Sequence, residues 1–362
     1  MTATKAIVAW EPIEPGQTNW SLEDVDVGVP GEGEVLVEML ATGICHTDIV
    51  LSSIPSGNLG ITYPKVVGHE GSGIVRSIGP NTSSVMVGDP VLLSYHSCGS
   101  CKKCHESHPA YCENFALENY IGHKNSMSIS GTGDVITSRF FGQSSLAQYS
   151  VVSERSIVNV KGLLHDQDEL KLFAPLGCGF QTGMGAIWNT SNAGPEDAVM
   201  ILGLGAVGMG ALMTAKIRNC ETIIVVDRIE ARLQLAKSLG ASHTINTGAS
   251  DYTTLREITM SLVSGGVSVV IDTTGAPSLI EDSLQCTRKL GKLILIGVPP
   301  RGYKLNIDVV EHINAIPQMI KWYRESRFPI DQSVRSFEAS QFREALSQLK
   351  EGTVIKPVLV WS

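Results

Sequence analysis

Ala198-Val199-Met200-Ile201-Leu202-Gly203-Leu204-Gly205-Ala206-Val207-Gly208 is the stretch that decides the fold. Five apolar residues without alternation suit a strand buried on both faces. Three glycines follow in the order G-x-G-x-x-G, and the apolar spacing over 206–217 is helical. Strand, glycine turn and helix in that order open a βαβ unit. The alternation continues downstream. Thr222-Ile223-Ile224-Val225-Val226 reads as the second strand and 229–239 as its helix. Val267-Ser268-Val269-Val270-Ile271 and Lys292-Leu293-Ile294-Leu295-Ile296 read as later strands, with a helix over 278–290 between them. Near-continuous apolar strands joined by helices predict an α/β architecture with a doubly wound parallel sheet.

The loop also predicts a ligand. Its first glycine permits the tight turn, its second lets the backbone approach a pyrophosphate, and its third lets helix and strand pack closely. The helix N-terminus then offers free N–H groups to the anion. Gly203, Gly205, Ala206, Val207 and Gly208 are therefore the candidate pyrophosphate loop. Asp227 ends the next strand, 19 residues after Gly208, where a carboxylate would bind ribose hydroxyls and repel a 2′-phosphate. NAD is favoured over NADP, a preference that Arg228 and Arg232 would soften. The glycine pattern is weak alone; its place between a buried strand and a helix carries the reading.

Residues 1–175 read differently. Apolar and polar residues alternate over 35–39 and 74–78, Val91-Leu92-Leu93 follows the turn Gly88-Asp89-Pro90, and glycines and prolines punctuate the rest. This is a β-rich barrel or sandwich. Within it lies Cys98-Gly99-Ser100-Cys101-Lys102-Lys103-Cys104, followed by Cys112. Four thiolates spaced C-x2-C-x2-C-x7-C close a tetrahedral zinc and leave no position for substrate, so the expected ion is structural. An iron–sulfur cluster is the less favoured occupant of the same four thiolates.

A second set is scattered. Gly43-Ile44-Cys45-His46-Thr47-Asp48, Gly68-His69-Glu70-Gly71 and Gly177-Cys178-Gly179 hold one Cys, one His and another Cys. Such a trio leaves one position of a zinc ion open, as a catalytic zinc requires. Sequence spacing does not prove that the three meet. Polar residues crowd around them, however, and are costly to bury without a task. Asp48 is placed to hold the other ring nitrogen of His69, or else to cap a helix. Glu70 is placed behind the metal, or else in solvent. Thr47 offers a hydroxyl for proton transfer, and His46 a contact to cofactor phosphates.

Composition sets outer bounds. The 362 residues are 43% hydrophobic and 18% charged, enough apolar material for two domains. A net charge of -8 argues against nucleic acid or an anionic membrane as main partner. No apolar run reaches the length of a membrane span. Eight cysteines without a secretory leader favour metal ligation over disulfides and a cytoplasmic setting. Cys220 and Cys286 are left over and are expected as buried thiols.

Taken together, these words resemble the zinc-dependent alcohol dehydrogenases of the medium-chain dehydrogenase/reductase superfamily. Gly177-Cys178-Gly179-Phe180-Gln181-Thr182-Gly183, Val87-Gly88-Asp89 and Val354-Ile355-Lys356-Pro357-Val358 complete the match, in the family's order. Phe140-Phe141-Gly142-Gln143-Ser144-Ser145 is most similar to the benzyl- and aryl-alcohol branch. The resemblance implies a GroES-like catalytic domain over 1–175, completed by 306–362, and a Rossmann NAD-binding domain over 176–305. It implies that Cys45, His69 and Cys178 hold a catalytic zinc with Glu70 beside it, and that Thr47 begins a proton relay. Thr182 would pack behind the nicotinamide, Lys356 would reach the pyrophosphate, and Ile296 and Val298 would lie on the cofactor side. Phe140 and Phe141 would line the substrate channel or serve as packing. The implied activity is Lewis-acid-assisted hydride transfer between NAD and a primary, aromatic or bulky apolar, alcohol or aldehyde.

Two departures keep other readings open. Val50 stands where many relatives carry a relay histidine. The segment after Asp308 runs almost directly into Ile316-Pro317, shorter than the family's, in the place of a dimer-forming strand. A monomer or non-standard homodimer is therefore expected. A non-redox cyclase, lyase or isomerase on the same scaffold is the alternative activity, and a non-catalytic zinc protein the third.

Overall fold

The computed structural model describes residues 1–124, 126–250, 252–300, 302–305, 323–327, 329–354 and 356–361. They fall into two compact units, Met1–Leu305 and Asn306–Ser362.

The first part of the larger unit is built on two antiparallel sheets. One has the spatial order Lys65–Val66, Thr2–Ala9, Trp20–Val27, Met127–Ile129. The other runs Tyr149–Ser153, Glu34–Gly43, Glu70–Ile78, Pro90–Leu93, Ile157–Asn159. Their inward residues form separate apolar clusters, one around Val8, Val25, Ile61 and Phe140, another around Val35, Val75, Val91 and Val152. The strand pair Glu34–Gly43 and Glu70–Ile78 matters most for function. Gly43 pairs with Glu70, so the chain leaves one strand toward Cys45 beside the point where the other begins after His69.

The second part contains a parallel sheet in the order His243–Asn246, Thr222–Asp227, Ala198–Leu202, Val267–Asp272, Thr287–Leu295. The strand Ala198–Leu202 is buried throughout, as its unbroken apolar run predicts. Successive strands build outward on one side of it and then cross to the other. Its carboxyl end is therefore a topological switch point, where ligands of such sheets bind. The helices Ala206–Ile217 and Glu230–Ser238 match the pattern read from sequence, and a further helix, Leu255–Leu262, was not anticipated there.

One helix is shorter than expected. It spans Pro277–Cys286, and the chain is already extended from Thr287. The register jumps between the pairs Val267↔Thr287 and Val269↔Lys292, so extra residues bulge out of the edge strand, with Leu290 at φ +63°. Leu290 stands four residues after Cys286 and so mimics a continued helix, whereas β-branched Thr287 enters the ladder. Cys286 is buried at the helix end; Cys220 is only half-buried, since it lies in the turn after Ile217 rather than in an element.

The smaller unit pairs Val334–Glu338 with Lys356–Val360 in parallel around the helix Phe342–Lys350, with Phe337, Ala345 and Val354 as its core. The shortened segment after Asp308 falls on 306–322, outside the described residues.

Sequence reasoning gave no role to Lys65, whose side chain is fully buried. Its ammonium donates to the carbonyls of Tyr120 and Ile121 and stands 4.9 Å from the centroid of Phe140. No ion pair to it occurs among the described residues. Burial pulls its pKa down from 10.5 to about 8. Below pH 8 the folded protein therefore carries the full cost of a buried ammonium, and that cost disappears as pH rises to 10.5. A shift of this size amounts to about 3 kcal/mol. Stability toward denaturant is expected to gain a component that rises from pH 8 to 10 in the native protein and is missing in Lys65→Met. Parallel stability–pH curves for the two proteins would contradict the assignment.

Candidate active site and metal centres

Cys45 caps the N-terminus of the short helix His46–Leu51, and Asp48 occupies its first turn. Asp48 is wholly buried and serves three donors. Its Oδ2 accepts from the Cys45 N–H at 2.9 Å; its Oδ1 accepts from the Gly68 N–H at 3.0 Å and meets His69 Nδ1 at 2.8 Å. The two sequence readings of Asp48, helix cap and histidine holder, are both present in one side chain. The Asp48 carboxylate accepts the Nδ1 proton, so it fixes the tautomer and turns the Nε2 lone pair the other way. That nitrogen lies 3.2 Å from Cys178 Sγ, which is 4.0 Å from Cys45 Sγ.

Cys178 caps another helix, Gly179–Gly185. This helix packs against Ala206–Ile217 so tightly that a Cβ on Gly183 would stand 2.0 Å from the Val207 carbonyl oxygen. The helix that begins at the thiol thus lies against the helix opened by the glycine loop. Thr182 sits on it, exposed, with its hydroxyl donating to the Cys178 carbonyl at 2.9 Å.

Cys45, His69, Glu70 and Cys178 each present a ligand atom, all within 4.8 Å of one another. Zinc with bonds of about 2.3 Å to sulfur sets its ligand sulfurs roughly 3.8 Å apart. The observed spacing fits such an ion. Electrostatics agree. The hydrogen bond from Cys178 holds the Cys45 thiol down to about 3 against the effect of burial, with His69 assisting. The same contact, together with burial, pushes Cys178 up. Burial works to lower His69, but hydrogen bonds to Asp48 and Cys45 outweigh it and push the ring up to about 9. Burial, then the Cys45 charge, raises Glu70. A dication bound among these groups would favour their deprotonated forms.

The His69 imidazole is also gripped by rings. Phe141 stacks on it at 4.4 Å between centroids, and Phe140 meets it edge-on at 5.7 Å. Tyr120 and Phe115 pack on Phe141 at 5.7 and 6.1 Å. Phe140 and Phe141 lie in the tight turn Phe140–Gly142 rather than in a strand. Next to them is a residue that sequence reasoning missed. Gln143 is fully buried, donates to the carbonyls of His69 and Ser94 at 3.0 and 2.8 Å, and accepts from the Gly71 N–H at 3.2 Å. Its signal was a Gln-Ser-Ser run directly after two phenylalanines, polar groups that burial would tolerate only if bonded.

The four-cysteine lobe is equally compact. Cys98, Cys101, Cys104 and Cys112 bring their sulfurs within 4.8 Å of one another. Cys98 Sγ is 3.5 Å from Cys112 Sγ and 4.0 Å from Cys104 Sγ, too far for disulfides, and all eight cysteines are free. Backbone N–H groups of Cys101 and Glu113 point at Cys98 and Cys101 sulfurs. The Ser100 N–H, above all, brings Cys98 down to about 5. Donors aimed at sulfur stabilise thiolates, which a metal needs.

At the switch point, Gly203 turns at φ +86°, and a Cβ on Gly208 would stand 1.9 Å from the Gly203 carbonyl oxygen. Asp227 is buried and tied to this loop. Its Oδ2 accepts from the Leu204 N–H at 2.8 Å, its Oδ1 from the Ile229 N–H at 2.9 Å, and Arg232 approaches at 3.7 Å. Ile296 is half-buried beyond the neighbouring strand, and its N–H donates to Asp272; Val298 is exposed. His46 is exposed and Thr47 half-buried on the helix after Cys45. Lys356 is an exposed residue of the smaller unit.

Comparisons with known proteins address the family. Residues 31–162 match the alcohol dehydrogenase GroES-like domain and 206–321 the zinc-binding dehydrogenase family. The chain is 33% identical to geraniol dehydrogenase of Castellaniella defragrans over 361 residues, covering 94% of both. It belongs to the zinc-binding alcohol dehydrogenases. Within that family the fold is shared at full length. An alcohol dehydrogenase zinc-binding domain protein of Burkholderia ambifaria superposes with a TM-score of 0.78 at 32% identity, over 99% of this chain and 98% of that one. Benzyl alcohol dehydrogenase of Acinetobacter calcoaceticus gives 0.76 at 33% identity, over 100% of both. The protein is therefore a zinc-dependent alcohol oxidoreductase using NAD(P), with a GroES-like domain and a Rossmann sheet. This decides against the non-redox and non-catalytic readings. Among the described residues no helix is long and apolar enough to cross a membrane.

Proposed function

We propose that this alcohol dehydrogenase interconverts a primary alcohol bearing an aromatic or bulky apolar group with its aldehyde, using NAD, in the cytoplasm. One observation carries the substrate class: Phe140 and Phe141 lie on the His69 imidazole, with Tyr120 and Phe115 packed on Phe141 behind them. The relatives named for geraniol and benzyl alcohol support it. The catalytic part is assigned to 1–175 and the dinucleotide part to 176–305. The shortened sequence after Asp308 supports a monomer or non-standard dimer.

In this reading Cys45, His69 and Cys178 hold the catalytic zinc with Glu70 as an adjacent donor, and Cys98, Cys101, Cys104 and Cys112 hold a structural one. Zinc held there would supply Lewis acidity to the alcohol oxygen, and the dinucleotide would supply the hydride acceptor. The chain's own work is positional. Asp48 orients His69 through Nδ1. Phe141 and Phe140 fix the ring's plane and shield it from water. Thr47 Oγ1 takes the hydroxyl proton and passes it outward; Val50, 42% exposed, leaves that path open to water without a further side chain. The Gly203–Gly208 loop binds the pyrophosphate, Asp227 the ribose, Thr182 and Val298 flank the nicotinamide, and His46 meets a phosphate.

Asp227 decides the dinucleotide. A carboxylate about 4 Å from a 2′-phosphate is repelled by roughly 1–4 kcal/mol. Asp227→Asn removes the charge and keeps an acceptor for one of the two N–H groups, of Leu204 and Ile229, that the carboxylate serves. Its ratio of kcat/KM for NAD over NADP is expected to fall at least five-fold or so on that scale. The test of the function is steady-state oxidation of benzyl alcohol, geraniol and ethanol with each dinucleotide. Faster turnover of ethanol than of either larger alcohol would reject the substrate class.

A further inference from the structure

Lys65 has no place in the chemistry above, yet it lies four residues before His69, fully buried, within the apolar cluster that holds Ile61, Val66 and Phe140. An apolar side chain there would avoid the cost of taking an ammonium out of water. What the ammonium gains is contact with two turns. It donates to the carbonyls of Tyr120 and Ile121, at the end of the wide turn Leu117–Ile121, where helical carbonyls lack partners. It also stands over the Phe140 ring. Neither turn is held by a sheet of its own. The turn Phe140–Gly142 carries Phe141 at φ +52°, which a bulky side chain resists, so it depends on its surroundings. These two turns supply Phe140 and Phe141, the two rings on His69, and Tyr120, which packs on Phe141.

We propose that Lys65 is a positioning residue for the substrate cleft: by tying the Leu117–Ile121 turn to Phe140 it holds the aromatic wall beside His69 and sets the preference for aryl over small aliphatic alcohols. This rests on the protein's reading as a dehydrogenase of aromatic alcohols. Lys65 touches no reacting atom. It acts through Phe140 and the Tyr120 backbone on where the rings stand.

The test uses the full-length zinc-loaded protein and two variants. Lys65→Met keeps length and apolar bulk without the charge; Phe140→Leu keeps the charge without the ring. For each, kcat and KM are measured for benzyl alcohol and ethanol, with zinc content and unfolding midpoint alongside. In Lys65→Met the ratio of kcat/KM for benzyl alcohol over ethanol is expected to fall about ten-fold, the scale of a small misplacement. The loss should lie in the KM for benzyl alcohol, with kcat for ethanol and zinc content unchanged. Phe140→Leu is expected to lower the same ratio and decides the matter if Lys65→Met does not fold. An unchanged ratio in the folded variants overturns the proposal, whatever happens to their stability. If the native protein oxidises neither alcohol, the functional reading is what fails. Lys65 is then judged by equilibrium binding of benzaldehyde to the zinc-loaded protein without dinucleotide. Weaker binding in the variants supports the role; equal binding, or none by the native protein, overturns it.

Discussion

Cys45→Ser is expected to reduce alcohol oxidation by at least about 10²–10³-fold, the loss seen when one preorganised electrostatic group is removed from an active site. Serine keeps the size and the helix-capping position of Cys45, so the fold should survive. It does not keep the thiolate, which the pocket stabilises against burial. The Cys178 thiol, His69 and the Thr47 N–H all favour it. A hydroxyl in that position stays neutral and binds zinc weakly. The checks are zinc content and kcat on the same sample. One zinc per chain should be lost while the four-cysteine lobe keeps its own. Full activity in Cys45→Ser would remove this residue from the catalytic set.

Asp48→Asn is the second large effect. The carboxylate, wholly buried, accepts from Cys45 N–H, Gly68 N–H and His69 Nδ1. An amide of the same shape turns one acceptor into a donor, so at least one N–H faces another. An unsatisfied buried donor costs about 1–3 kcal/mol. The imidazole also loses the partner that fixes its tautomer, and such partners are worth 10–100-fold in metal affinity or activity, as an order of magnitude. Weaker zinc retention in a chelator competition and a lower unfolding midpoint are both expected. Loss of stability with native zinc affinity would make Asp48 a helix cap and nothing more.

The two effects show where sequence sufficed. The Gly203 loop was legible because strand, turn and helix are local, and glycine is required where φ is +86°. The four-cysteine lobe was legible because its ligands fall within one short loop. The trio Cys45, His69 and Cys178 was read from polar words, but its closure depends on long-range pairing within one sheet, such as Gly43 beside Glu70, and on the helix that Cys178 caps. The edge-strand bulge after Cys286 escaped because Leu290, four residues after Cys286, fits a helix as well as a distorted strand. Phe140 and Phe141 looked like strand residues, and only the turn brings both rings to His69. Gln143 and Lys65 escaped for a common reason. Both are polar side chains whose partners are backbone carbonyls, and a carbonyl carries no sequence signature. Buried polar groups satisfied by the main chain are invisible until the fold supplies the partner.

Zinc titration into metal-free protein tests the central claim most directly. Reduced nicotinamide formed from benzyl alcohol and NAD is followed as each equivalent is added, in the native protein and in Cys45→Ser. Activity is expected to appear in the native protein only as the site of Cys45, His69 and Cys178 fills, and to stay absent in the variant at saturating zinc. Full turnover by the metal-free protein, or recovery of the variant to the native rate, would contradict the account.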